Sequence, residues 1–266
     1  MTPKLHSLVR TVTGYRRAIV GFSAGVDSTL VAFVANKMLG NDALIVLAKT
    51  ETITQEDIAL GRELAATYKF NYREVEYNEL DIENYASNPV NRCYFCKHEL
   101  YTRLGQLARE HNVPFILDGA NVDDMGDYRP GRNAAQQLEI RSPLIEAFMT
   151  KLDVREAAEY YGLPNYDKPS APCLSSRIPY GTQIDRPSLE RIAQAELFIR
   201  QKGFTNVRVR HFDSTAKIEV DKLEIGRLQL FFDDIQTRLK EIGYQNVVID
   251  QEGFRSGKLN QAILNK

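Results

Sequence analysis

Two groups of residues in this chain could do chemistry. The first is Ser23-Ala-Gly-Val-Asp-Ser28, which follows the apolar run Ala18-Ile-Val-Gly-Phe22 and opens a helical pattern over 29–39. The first amides of a helix lack intrahelical partners and the helix dipole adds about half a positive charge there, so a polyphosphate is a natural ligand. The hydroxyls of Ser23 and Ser28 add donors. No lysine stands in the turn, so it is not the G-x-x-x-x-G-K-[ST] loop of the common ATPases. The second group is the cysteines: Cys93-Tyr-Phe-Cys96 just before a helix, and Cys173 about eighty residues later. A C-x-x-C pair opening a helix aims both sulfurs at one point near a positive dipole end, which favours thiolates. Three thiolates can hold a four-iron cluster with one iron left open, or zinc if His98 is the fourth ligand. A redox pair also fits the spacing.

Basic and acidic residues further along suggest a second set of contacts. Arg208 and Arg210 alternate with valines, so both forks leave one face of a strand, where they could clamp phosphate or carboxylates or face solvent. Glu196 falls among Leu189, Ile192, Ala193 and Ile199 on a helical stripe, a place for a carboxylate that orients Arg208 or Arg210. Gly253-Phe-Arg-Ser-Gly-Lys258 is a glycine-bounded basic turn in which Arg255 suits a phosphomonoester. Arg177, close behind Cys173, could serve nucleotide phosphates or the transferred group.

The elements that must position these residues alternate. Strand-length apolar runs near 18–22, 43–48, 72–77 and 115–118 are separated by helical patterns near 29–39, 55–68 and 97–111. This predicts an α/β fold, a parallel sheet with helices on both faces. Ligands of such sheets sit beyond the carboxyl ends of the strands, where Ser23 and the segment Asp118-Gly-Ala-Asn-Val-Asp-Asp124 emerge. The irregular, proline-bearing segment 165–182 ends a first domain, 1–181. The remainder, 182–266, reads as a small α+β domain: helix 187–202, strands 207–212 and 216–220, helix 222–242 and strand 247–250.

Composition bounds the function. The chain of 266 residues carries 34 Lys plus Arg against 35 Asp plus Glu, a formal charge of −1. That balance argues against a nucleic-acid partner, which usually requires a basic excess. Neither a membrane-spanning stretch nor the apolar core of a signal peptide is present, and three cysteines are an odd number, so a cytoplasmic protein with thiol or metal chemistry is expected.

With Ser23 to Ser28, Cys93-x-x-Cys96, Asp118 to Asp124 and Pro172-Cys-Leu-Ser-Ser-Arg177 together, the chain resembles the LarE group of PP-loop ATP pyrophosphatases, sulfur transferases of nickel-pincer nucleotide synthesis. The resemblance extends over essentially the whole chain. It implies the PP-loop (adenine nucleotide alpha hydrolase-like) fold, with Ser23, Ala24, Gly25, Val26, Asp27, Ser28, Asp118, Gly119 and Arg177 about ATP and magnesium. Ala24 departs from the family's glycine, at a cost of about 1 kcal/mol if its φ is positive. The implied substrate is a small nucleotide, a pyridinium biscarboxylate mononucleotide held by Glu196, Arg208, Arg210 and Arg255. ATP adenylates one of its carboxylates and sulfur displaces AMP. Cys93, Cys96 and Cys173 match the version that carries sulfur on a 4Fe-4S cluster. In the other version Cys173 gives up its own sulfur. A homo-oligomer such as a hexamer is also implied. Rival readings are a PP-loop tRNA thiolase with a cluster, an amidating ligase of the NAD or GMP synthetase kind, and a cluster-carrying nucleotide-binding module without turnover.

Overall fold

The computed structural model describes residues 1–126, 130–170 and 172–255. The chain divides into two compact units: Met1–Asn78 with Asn91–Ala171, and Glu79–Val90 with Pro172–Lys266.

In the first unit α1 (Pro3–Tyr15) leads to β1 (Ala18–Phe22), α2 (Val26–Leu39), β2 (Ala43–Lys49), α3 (Gln55–Thr67) and β3 (Asn71–Glu76). After the excursion into the second unit come α4 (Arg92–Glu110), β4 (Phe115–Leu117), α5 (Gly131–Gln137), α6 (Pro143–Glu146) and α7 (Lys151–Tyr160). The four strands are parallel in the order β3-β2-β1-β4. Their apolar continuity has a direct cause, because each face of β1 meets helices. Ala18, Val20 and Phe22 join a core with Leu8 of α1, Leu30 of α2 and Val154 of α7, while Ile19 joins Tyr101 and Leu104 of α4 and Ala134 of α5. With β1 central, the turn at Ser23 leaves the middle of the sheet.

The second unit contains a 3-10 turn at Leu174–Arg177, α8 (Arg186–Gln201), β5 (Arg208–Phe212), β6 (Thr215–Glu219), α9 (Ile225–Leu230), α10 (Phe232–Ile242) and β7 (Asn246–Ile249). β6 pairs antiparallel with β5 and parallel with β7. Ala195 and Ile199 of α8 and Ile235 and Leu239 of α10 pack on Val209 and Ile218 of the sheet. The inserted segment is tied to the cysteine-bearing turn by buried bonds. Tyr85 Oη meets Ser175 Oγ at 2.8 Å, and Asn88 Nδ2 donates to the carbonyls of Pro179 and Thr182 at 2.7 and 3.0 Å.

Three local differences from the sequence reading have physical causes. α1 was not anticipated, although Thr2 caps it and Pro3 occupies its first turn. Cys93 and Cys96 are the second and fifth residues of α4 rather than lying before it, since that helix starts at Arg92. The expected helix over 222–242 is broken at Phe231 (φ −105°, ψ 5°) into a 3-10 turn and two α-helices. Among the described residues no helix is long and apolar enough to cross a membrane.

Candidate active site

The turn after β1 is wound on itself. Ser28 Oγ donates to the Gly25 carbonyl at 3.1 Å and lies 3.1 Å from both the Ser23 amide nitrogen and the Ser23 hydroxyl. Ala24 is buried with φ 56°, so alanine does occupy a left-handed position that glycine would fill without strain. Its carbonyl is held by Asn165 Nδ2 at 3.1 Å, which also reaches Thr29 Oγ1 at 2.9 Å. Lys168 Nζ, 3.4 Å from the same carbonyl, pairs with Asp57 at 2.6 Å. Gly25 caps α2 and Val26 begins it.

The loop after β4 is pressed against this turn. A Cβ on Gly119 would come within 2.8 Å of the Ser28 amide nitrogen, so only glycine permits the approach. Asp118 anchors the loop by accepting from Ser142 Oγ at 2.7 Å, Tyr101 Oη at 3.1 Å and the Ala120 amide at 3.1 Å. Burial, then the charge of Asp118, pushes the Tyr101 phenol well up, so it remains a donor at neutral pH. Further along the loop, Asn121 Nδ2 donates to Asp27 Oδ1 at 3.0 Å. The other Asp27 oxygen pairs with Lys151 Nζ. Asp123 accepts from the Lys151 amide at 2.8 Å, and Asp124 from the Asn121 amide at 3.0 Å.

Lys151 escaped sequence reasoning, yet it left a signal. A lysine at the first position of α7, just after the capping Thr150, opposes the helix dipole. The Asp27 carboxylate compensates for it. The result is a cation, an acid and a set of helix-end amides around one turn, an arrangement able to hold a triphosphate. The Asp27 oxygens are hard donors of the kind magnesium takes beside phosphate oxygens and water.

In the second unit the basic residues cluster. Arg177, 2% exposed, makes a two-pronged pair with fully buried Glu196, at 2.7 and 2.8 Å. Its remaining nitrogen donates to the carbonyls of Pro172 and Cys173 at 2.5 and 3.1 Å, folding the Cys173 turn around the guanidinium. Glu196 also accepts from the Val209 amide at 3.0 Å and Arg200 at 3.2 Å. It therefore orients Arg177 and Arg200, where the sequence had suggested Arg208 or Arg210. Arg210 instead pairs with Glu219 at 2.8 Å and donates to the Ser176 carbonyl at 2.7 Å. Arg208 stacks 5.2 Å from the Phe254 ring centroid, and burial followed by the charge of Arg177 pushes its guanidinium down to about 10. Among the described residues Glu196 thus pairs with Arg177 and Arg200, and Glu219 with Arg210. Arg255 is exposed and pairs with Glu252 at 2.5 Å, while Ser256, Gly257 and Lys258 lie outside the described residues.

None of the three cysteines is in a disulfide; Cys93 and Cys173 are exposed and Cys96 is half-buried. Cys93 and Cys96 belong to the first unit and Cys173 to the second. Among the described residues no three His, Cys, Asp or Glu side chains are grouped to hold a metal ion. The chemistry of the donors, three thiols with two of them three residues apart on one helix face, suits iron and sulfide.

A parallel α/β sheet whose central strand ends in a lysine-free phosphate turn defines a class, the PP-loop ATP-using enzymes. The profile of the NAD synthase family matches residues 3–103. The chain is 34% identical over 264 residues to the pyridinium-3,5-bisthiocarboxylic acid mononucleotide synthase of Lactiplantibacillus plantarum, covering 99% of this chain and 96% of that one. It is 40% identical to an uncharacterised protein of Synechocystis sp. over 98% of both chains. A glutamine-hydrolysing GMP synthase component of Saccharolobus islandicus matches at 27% over 57% of this chain and 45% of its own. The chain belongs to the LarE family, and it is an ATP-dependent sulfur transferase of the pyrophosphatase type.

Proposed function

We propose that the protein converts a carboxylate of pyridinium biscarboxylate mononucleotide to a thiocarboxylate in nickel-pincer nucleotide synthesis. ATP lies with its phosphates on the turn from Ser23 to Ser28 and the first amides of α2. Lys151 offsets the charge that develops on phosphate, and Asp27 would hold a magnesium ion, which when bound would supply further charge neutralisation there. A substrate carboxylate oxygen attacks the α-phosphorus, the bond to pyrophosphate breaks, and the acid becomes an acyl adenylate. A sulfur nucleophile then attacks the acyl carbon and AMP leaves with the electron pair of the broken C–O bond. A carboxylate is a poor electrophile, and adenylation supplies its leaving group.

The observation that carries this reading is the presence of a phosphate turn and three thiols in a chain similar over almost its full length to a named bisthiocarboxylate synthase. The arginines of the second unit, with Arg208 and Arg210 foremost and Arg255 outside the cluster, supply positive charge for the substrate phosphate and carboxylates, and Glu196 orients the neighbouring Arg177. Cys93, Cys96 and Cys173 hold a 4Fe-4S cluster; when bound, it supplies a sulfide for transfer. The same reading places the protein in a reducing, cytoplasmic compartment as a homo-oligomer.

Anaerobic purification followed by iron and sulfide analysis tests it. Brown protein with about four irons and four sulfides per chain is expected. Colourless protein that transfers sulfur and loses about 34 Da would mark Cys173 as the spent donor, through dehydroalanine. ATP binding with no AMP released in the presence of the pyridinium nucleotide would overturn the reading. Matches to NAD and GMP synthases support adenylation but leave the thiols unexplained, so ammonia-dependent AMP release is not expected.

A further inference from the structure

The second unit carries a cavity apart from the arginine cluster. It has a volume of about 550 Å³, in the range of small-molecule sites, and lies between the start of α8, the β5–β6 turn and the α10–β7 connection. Tyr244 organises one wall. Its hydroxyl is 3.2 Å from His211 Nδ1, and Arg191 lies over its ring at 5.8 Å from the centroid. His211 is 3% exposed yet lines the cavity.

The charges that line this space divide into committed and uncommitted. Asp185 is committed, since it caps α8 by accepting from the Ser188 amide at 2.7 Å. Arg191 makes only long contacts, 3.4 Å to the Pro187 carbonyl and 3.5 Å to Ser188 Oγ, and pairs with no carboxylate among the described residues. Asp213, at the hairpin tip with φ 50°, likewise forms no ion pair among them. One uncommitted cation and one uncommitted anion therefore face the same space, beside the amides of Gln183 and Gln245. Burial, with the charge of Arg191, pushes His211 below its ordinary value, while Asp185 and Asp213 act in the other direction. The imidazole is neutral at pH 7 and adds hydrogen-bonding capacity without charge.

We propose that this cavity binds a free α-amino acid as its zwitterion, with the carboxylate on the Arg191 fork, the ammonium on Asp213 and a polar side chain toward His211. Neither a simple anion nor a simple cation satisfies both charges. A phosphorylated ligand would meet Asp185 and Asp213 as like charges.

Proton NMR of the ring signals tests this on the full chain, which has four histidines, with the His211 signal assigned by its loss in His211→Asn. L-Serine is compared with ethanolamine, which lacks the carboxylate, and with 3-hydroxypropionate, which lacks the ammonium. Serine is expected to shift the His211 signal saturably at millimolar concentration, and each analogue to shift it at least tenfold more weakly. Arg191→Lys and Asp213→Asn should each weaken the serine response tenfold or more. No saturable response to serine, an equal response to either analogue, or full retention of the response in Asp213→Asn would overturn the proposal. The readout needs neither ATP nor sulfur transfer, so its failure leaves the proposed reaction untouched.

Discussion

Asp27 and Lys151 are 124 positions apart in sequence and form an ion pair at the phosphate turn. The acid comes from the first turn of α2 and the lysine from the first position of α7, so two helix N-termini converge on one place. Positive helix ends and a lysine would repel one another without Asp27 or a phosphate between them.

Lys151→Met should therefore act on chemistry more than on folding. The pair is partly exposed, 30% for the lysine and 22% for the acid, and such pairs contribute about 1 kcal/mol or less to stability. Pyrophosphate release should fall about 100-fold, the scale of losing one preorganised donor to a developing charge. A melting temperature that drops steeply with unchanged pyrophosphate release would show the lysine to be structural only.

Gly119→Ala should disturb the phosphate turn from outside it. The added methyl meets the Ser28 backbone at 2.8 Å, and backbone cannot swing aside as a side chain can. A stability loss of about 1–3 kcal/mol is expected from such overpacking, with weaker ATP binding measured by calorimetry. Unchanged ATP affinity would mean that the β4 loop is free to move away.

Cys173→Ala should abolish thiocarboxylate formation and leave ATP binding intact, since the thiol lies outside the phosphate turn. Product mass spectrometry and ATP titration read the two effects separately. Residual transfer in this variant would remove Cys173 from the sulfur route.

Glu196 sets a pH dependence. Burial alone would raise its carboxyl, but the charge and hydrogen bonds of Arg177 and the Val209 amide outweigh burial and hold it below the ordinary range. A carboxyl lowered on folding contributes stability that is complete above its unfolded value, about 4.3, and is lost as pH falls through the folded value. Melting temperatures should hold above about pH 5 and decline below it. In Glu196→Gln stability should drop by about 3–5 kcal/mol at neutral pH, because Arg177 is left buried without its counter-ion, and the remaining acid dependence should flatten. An unaltered acid profile in that variant would assign the decline to other carboxylates.

The parallel sheet, the phosphate turn and the small second module were legible because their signals are local. A strand buried on both faces reads as continuous apolar sequence, as Ala18-Ile-Val-Gly-Phe22 does, and a helix start after a glycine and serines needs no distant partner. The same holds for Gly243 (φ 116°), which ends α10 as its position beyond the helical pattern implied. Distant partnerships were not legible in this way. Glu196 could be placed on a helical stripe facing buried arginine, and the sequence offered Arg208 or Arg210; that Arg177 is the two-pronged partner depends on the path of 172–177. Lys151 carried a weak local anomaly whose explanation lies 124 positions away.

Sequence alone thus determined the periodicities, the residue types able to bind phosphate or carry sulfur, and the family resemblance drawn from them. Tertiary structure decided which charge meets which: Lys151 with Asp27, Arg177 with Glu196, Arg210 with Glu219. Hydrophobic burial follows local patterns and is non-directional. Ion pairs and hydrogen bonds instead require particular atoms within about 3 Å, a condition only the folded chain path can meet.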